Sequence, residues 1–207
     1  AAVAAVCQDH DLLAITDEIY EHIYYEGEHI PMATLDGMRD RTITVSGLSK
    51  TFSITGWRIG TIIAPPDLTE AIRKVHDFLT VGAPAPLQEA CAVGMEELEG
   101  TYYETMIDDY RARREALYRG LAEAGFRCEK PQGAYYMLAD FSALSDEPDD
   151  VFSRRLARDA GVAPVPGSSF YSDPELGRSL VRFAFCKRAE TLELAGERLR
   201  AFARSEG

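Results

Sequence analysis

Three short apolar runs constrain the fold of this chain most: "LLAIT" (Leu12–Thr16), "TITVSG" (Thr42–Gly47) and "RIGTIIAP" (Arg58–Pro65). Each is rich in β-branched residues and too short for a helix. "LLAIT" shows no polar alternation, so it reads as a parallel strand buried on both faces. Helical stretches surround the three runs. "AAVAAVCQDH" precedes the first and has no N-cap of its own. Helical periodicity covers Leu68–Leu79, then Pro86–Leu98 after the "GAPAP" break, then a long amphipathic stretch Tyr102–Ala124 that closes at Gly125. Strands and helices in this order predict an α/β fold.

Beyond Gly125 the texture changes. "FRCEKPQGAYYMLADFS" reads as two strands joined by a turn at Pro131–Gly133, Asp149–Ala160 as a helix and "GVAPVPGSSFYSDP" as a loop. "SLVRFAFC" (Ser179–Cys186) reads as a strand and Ala189–Arg204 as a final helix. This second part is α+β and smaller. The boundary is expected inside the long helix, giving domains of 1–110 and 111–207. A chain that opens inside a helix is expected to be one piece of a longer protein.

Bulk charge narrows the partners. The net charge is −12, which disfavours nucleic acid and anionic membrane surfaces. No apolar run approaches the roughly 20 residues of a membrane span. Cys7, Cys91, Cys128 and Cys186 share no CxxC or metal-ligand spacing, which points to reduced thiols and a cytoplasmic protein rather than a disulfide framework. His10, His22, His29 and His76 form no HxxxH pattern, so no metal site is expected.

The candidate chemistry clusters at the ends of the strand-like runs. Lys50 follows "TITVSG" and is one of only four lysines against eighteen arginines. The ends of strands in an open α/β sheet are where ligands bind. A lysine there is either a solvated surface residue or an amine made reactive by desolvation or a nearby cation. Arg58, eight residues on, is either a phosphate anchor, whose fork grips two oxygens at once, or half of a structural ion pair. Asp17 directly follows "LLAIT", with Tyr20 three residues later. A carboxylate buried there needs a cation, and a protonated pyridine nitrogen would be one. Alternatively Asp17 caps a helix and Tyr20 lies in the core. Lysine for a Schiff base, aspartate for a pyridinium, tyrosine for a phenolic oxygen and arginine for a phosphate together describe a pyridoxal phosphate site.

"SGLSKTFSITGWRIG" (Ser46–Gly60) resembles the lysine signature of the class I/II aminotransferases, which are fold-type-I pyridoxal phosphate enzymes. Gly47, Lys50, Arg58 and Gly60 fit it. "TDEIY" resembles the Asp-x-x-Tyr element of that family, which makes Asp17 and Tyr20 the contacts to the cofactor's pyridine nitrogen and phenolic oxygen. "LVRFAF" resembles the strand whose arginine grips the substrate α-carboxylate, here Arg182. "KPQGAYYMLAD" and "GVAPVPGSSFY" match small-domain landmarks of the family. The likeness runs nearly end to end, with a flavour of the kynurenine, glutamine and methionine aminotransferase group.

The resemblance implies half of a fold-type-I large domain, with a mostly parallel sheet and flanking helices, followed by a small α+β domain. It implies transfer of an amino group between an amino acid and a 2-oxo acid. Lys50 would anchor the cofactor and serve as the base, and the enzyme would be a homodimer with sites at the subunit interface. Two departures stand out. Some relatives carry a phosphate-binding serine where this chain has Gly47, so Ser46, Ser49 or the Gly47 amide would have to substitute. The family's upstream half, with its glycine-containing phosphate loop, ring-stacking aromatic and Asn-Pro element, is not in this sequence. Half a sheet would leave apolar strand edges open, and a fragment alone would be inactive. Two other functions stay open at this point: β-elimination at the same site, as in a carbon–sulfur lyase, and a non-catalytic sensing module.

Overall fold

A computed structural model of the chain describes residues 1–206, the side chain of Glu206 excepted. The chain divides into two compact units, Ala1–Glu104 and Thr105–Gly207.

In the first unit α1 (Ala2–Asp9) leads into β1 (Ala14–Asp17), which pairs in parallel with β2 (Thr42–Gly47). The register sets Ala14 opposite Thr42 and Asp17 opposite Val45. β3 (Gly60–Ile63) runs antiparallel to β2, with Gly47 opposite Gly60, so the sheet is mixed. The helices α2 (Pro66–Leu79) and α3 (Ala85–Glu97) follow, and α4 (Gly100–Glu123) runs on into the second unit. Prolines open α2 and α3, where a missing backbone N–H costs nothing.

The buried apolar residues of this unit include Ile23, Tyr25, Ile59 and Cys91. Ala4, Cys7, Ala14 and Met38 cluster, with Met32 and Leu35 packed against them. The expectation that "LLAIT" is buried on both faces does not hold here. Ile15 is 73% exposed, and Leu12 and Leu13 are exposed as well. Every residue of β3 is exposed, and α2 buries none of its residues although Phe78 and Leu79 lie on it. β1 and β3 are the two edges of a three-stranded sheet, and no further strand pairs with either among the described residues.

The second unit is built around a four-stranded antiparallel sheet in the order β4 (Arg127–Cys128), β5 (Tyr136–Asp140), β7 (Leu180–Ala184), β6 (Val165–Pro166). Strand alternation sends Met137, Ala139, Val181 and Phe183 into the core. There they meet a layer made by α4, α5 (Asp149–Asp159) and α6 (Ala189–Glu206), whose Leu117, Leu121, Phe152, Leu156, Leu199 and Phe202 are also buried. Phe141 stacks on Phe152 at 4.0 Å between centroids, and Phe126 meets Phe183 edge-on at 5.8 Å. On the opposite face of β5 and β7, Tyr136 and Arg182 are half-buried and Leu138 is exposed.

α4 and α6 cross at two glycines. A Cβ on Gly120 would stand 2.8 Å from the Cα of Gly196, which is backbone and cannot swing away. A side chain there separates the helices and loosens the ring cluster beneath. Gly120→Leu is expected to destabilise the second unit by about 1–3 kcal/mol, read by denaturant unfolding. Ala122→Leu, at an exposed position two residues on, leaves the midpoint near its original value.

Candidate active site

The strand register brings four of the five sequence-predicted residues to one end of one sheet. β1 and β2 are parallel, so their C-terminal ends coincide, and the antiparallel β3 starts at that same end. Asp17 terminates β1 and Tyr20 lies on the turn just after it. Lys50 lies three residues past the end of β2, and Arg58 two residues before β3. Lys50 and Tyr20 are half-buried, whereas Asp17 and Arg58 are exposed. The fifth, Arg182, belongs to the second unit.

Asp17 is not a helix cap. Its Oδ1 accepts the N–H of Ile19 at 3.1 Å, a local turn that any exposed aspartate can make, and no helix follows. Nor is Asp17 buried, so the demand for a cation that burial would impose is absent within this chain. The buried carboxylate is its neighbour Glu18. Glu18 Oε1 accepts the Thr16 hydroxyl at 2.9 Å and the Met32 amide at 3.2 Å, while its Oε2 lies 2.8 Å from His29 Nε2. Burial pushes the Glu18 carboxyl up, but the hydrogen bonds from His29, Thr16 and Met32 outweigh it and leave the group below the ordinary carboxylate range. Glu18, Glu21 and His29 each set one ligand-type atom within 4.8 Å of the others, yet both Glu18 oxygens are already engaged.

The lysine loop is a chain of tight turns. The Phe52 amide bonds the Leu48 carbonyl at 2.9 Å, and the Thr55 hydroxyl bonds the Ser49 carbonyl at 3.0 Å. Arg58 adopts the left-handed conformation (φ 57°), which costs a side-chain-bearing residue about 1–2 kcal/mol. Strain of this kind concentrates at working sites. Its guanidinium donates to the Thr55 carbonyl at 3.0 Å and pairs with no carboxylate among the described residues, so the ion-pair alternative is not realised.

Gly47 has a packing reason to be glycine. A Cβ there would lie 2.8 Å from the Ile59 carbonyl oxygen, so a serine cannot occupy the position without moving β3. Of the proposed substitutes, Ser46 has committed its only hydroxyl proton to Glu21 Oε1 at 2.6 Å. The loop is also braced from α4: the Tyr102 hydroxyl donates to the carbonyl of Thr51, beside Lys50, at 2.7 Å. Burial raises the Tyr102 phenol above its ordinary pKa, which keeps it a donor.

In the second unit the guanidinium carbon of Arg182 lies 4.1 Å from the ring centre of Tyr136 and 4.3 Å from that of Phe170. No carboxylate pairs with it among the described residues, so its N–H groups are available to an anion. The buried Asp149 accepts the Ser168 amide at 2.7 Å and so holds the turn that carries Phe170.

Sequence reasoning did not single out Glu18, His29, Tyr102, Tyr136 or Phe170. One signal was present: Thr16 and Glu18 are polar residues two apart where an apolar run ends, a spacing that lets their side chains meet. The others depend on contacts remote in sequence. Acidification tests the Glu18 cluster. Its carboxyl is depressed in the fold, so its contribution to stability is full above the pKa of an unfolded glutamate and is lost as pH falls through the folded value. Glu18→Gln is expected to lose less stability than the parent over that acidic window, measured by unfolding at stepped pH.

The chain matches the family "Aminotransferase class I and II" over residues 1–199. It is 37% identical to a probable N-succinyldiaminopimelate aminotransferase of Mycobacterium tuberculosis, over 98% of this chain and 53% of that protein. It is 36% identical to the methionine aminotransferase of Escherichia coli, over 97% of this chain and 52% of that one. The solved structure of the M. tuberculosis N-succinyldiaminopimelate aminotransferase superposes with a TM-score of 0.93, at 37% identity, over 98% of this chain and 53% of its own. The chain thus spans about half the length of the curated relatives it matches. The family match over residues 1–199, with 37% identity along 98% of the chain to one of these proteins, makes this chain a member of the class I and II aminotransferases.

Proposed function

We propose that the protein containing this chain is a pyridoxal phosphate-dependent aminotransferase that exchanges an amino group between an amino acid and a 2-oxo acid. The observation that carries the reading is the convergence of Asp17, Tyr20, Lys50 and Arg58 on one end of one sheet, in a chain of this family. The residues fit the cofactor. Arg58 gives one bond to the Thr55 carbonyl and pairs with no carboxylate among the described residues, which leaves its other N–H groups for a phosphate.

When bound, pyridoxal phosphate supplies an electron sink for the carbanion left by loss of the α-proton. The residues of this chain do the rest. Lys50 would hold the cofactor covalently through its amine, and that amine would move the α-proton as a general base. Asp17 keeps the ring nitrogen protonated, and Tyr20 donates to the phenolic oxygen. Arg58 grips the phosphate. Arg182 fixes the substrate α-carboxylate, and its two ring neighbours limit how the guanidinium can turn.

The finer features belong to the same reading. A cytoplasmic setting is supported by four cysteines that are all free thiols. No helix of the described residues is long and apolar enough to cross a membrane. Homodimerisation belongs to the same reading.

In the full-length protein, Lys50→Ala is expected to abolish amino-group transfer and the borohydride-trapped cofactor adduct. Normal turnover in that variant would overturn the reading. Arg182→Ala removes a charge-assisted contact worth about 1.5–3 kcal/mol, so KM for amino acids rises by about ten- to a hundred-fold. An unchanged KM across several amino acids would remove Arg182 from the site.

A further inference from the structure

We propose that Glu18 and His29 form a positioning pair that sets the Asp17–Tyr20 turn against the lysine loop. The inference rests on the aminotransferase reading above. Glu18 is one of few buried ionisable groups in the chain, and the only carboxylate so buried in the first unit. Burying a carboxylate is costly unless several donors meet it, and here three do. A carboxylate can only accept, so His29 Nε2 is the donor in their 2.8 Å contact.

What Glu18 ties together is specific. Its side chain joins Thr16, on β1, to His29 and Met32, where the long excursion after β1 returns. Its own amide donates to the Val45 carbonyl on β2 at 2.8 Å, and its carbonyl accepts the Glu21 amide at 2.9 Å. Glu21 in turn accepts the Ser46 hydroxyl at 2.6 Å, at the root of the lysine loop. Asp17 and Tyr20 sit on either side of Glu18 in this lattice. The Glu18 side chain is committed to Thr16, His29 and Met32, so Glu18 acts as a positioning residue for its neighbours. If the lattice gives way, Asp17 and Tyr20 move together. The lysine loop, braced separately by Tyr102 on Thr51, stays where it is.

This predicts a dissociation of properties. Losing the pair should leave the covalent bond to Lys50 intact while spoiling the contacts that depend on Asp17 and Tyr20. A tyrosine hydrogen bond would draw charge from the phenolic oxygen of a bound cofactor and so lower the pH at which its lysine-linked form titrates. Displacing Tyr20 therefore raises the pH at which the visible absorbance of the lysine-bound cofactor titrates.

The test uses the full-length holoenzyme and its Glu18→Ala, Glu18→Gln and His29→Ala variants. Four quantities are read: borohydride-trapped cofactor on Lys50, the absorbance titration, kcat and KM per bound cofactor, and thermal unfolding. Glu18→Ala is expected to keep near-full trapping, shift the titration upward and lower kcat by up to about a hundred-fold, with KM for the 2-oxo acid little changed. His29→Ala shifts in the same direction by less, because Thr16 and Met32 still hold the carboxylate. Glu18→Gln, which keeps an acceptor of the same length, recovers part of the loss. A wild-type titration and kcat in the cofactor-loaded fraction, whatever the fall in melting temperature, would overturn the proposal. If Glu18→Ala does not accumulate folded, His29→Ala decides by the same two readings. Absence of trapped cofactor in the parent enzyme would instead defeat the aminotransferase reading.

Discussion

The parallel pairing of β1 with β2 is the constraint on which the site depends. It sets Asp17 opposite Val45, and thereby brings two segments well separated in sequence to the same end of a sheet. Parallel strands point the same way, so the loops that leave them face each other, and side chains on those loops can act on one ligand. β3 then returns antiparallel and delivers Arg58 to that end from the other direction. A slip of one residue in the β1–β2 register would turn Thr16 and Glu18 to the face now occupied by Asp17, exchanging a hydrogen-bonded carboxylate for an open one.

The two units hold themselves together differently. The second has a continuous core of phenylalanines and leucines under an antiparallel sheet. The first buries fewer apolar residues and adds polar ties: Glu18 to His29, Ser46 to Glu21, Arg41 to the Cys7 and Leu12 carbonyls. Polar ties fix direction better than they supply free energy, since each returns only about 0.5–1.5 kcal/mol net.

Much of this was legible in the residues. β-branched runs gave the strands, and prolines and a glycine marked the helix boundaries, so β2 matches its expected span of Thr42–Gly47. Lys50 and Arg58 could be singled out because a lysine-poor chain spends one in a small-residue loop. Burial was not legible for β1, since apolarity says that a face can be covered and not what covers it. The role of Glu18 was hidden because an acidic residue beside Asp17 looks like solvated charge until His29 and Met32 come back to meet it. The rings beside Arg182 come from β5 and from the turn after β6, and only the β5–β7 pairing brings the first of them near.

The aromatic setting of Arg182 carries a consequence for selectivity. With ring carbons against it, the guanidinium presents its rim, where the N–H groups lie coplanar. A flat two-oxygen anion can meet that rim along both prongs at once. A tetrahedral anion of equal charge engages fewer prongs in the same plane. In the proposed role of Arg182, the rings would add a test of the anion's shape to the test of its sign.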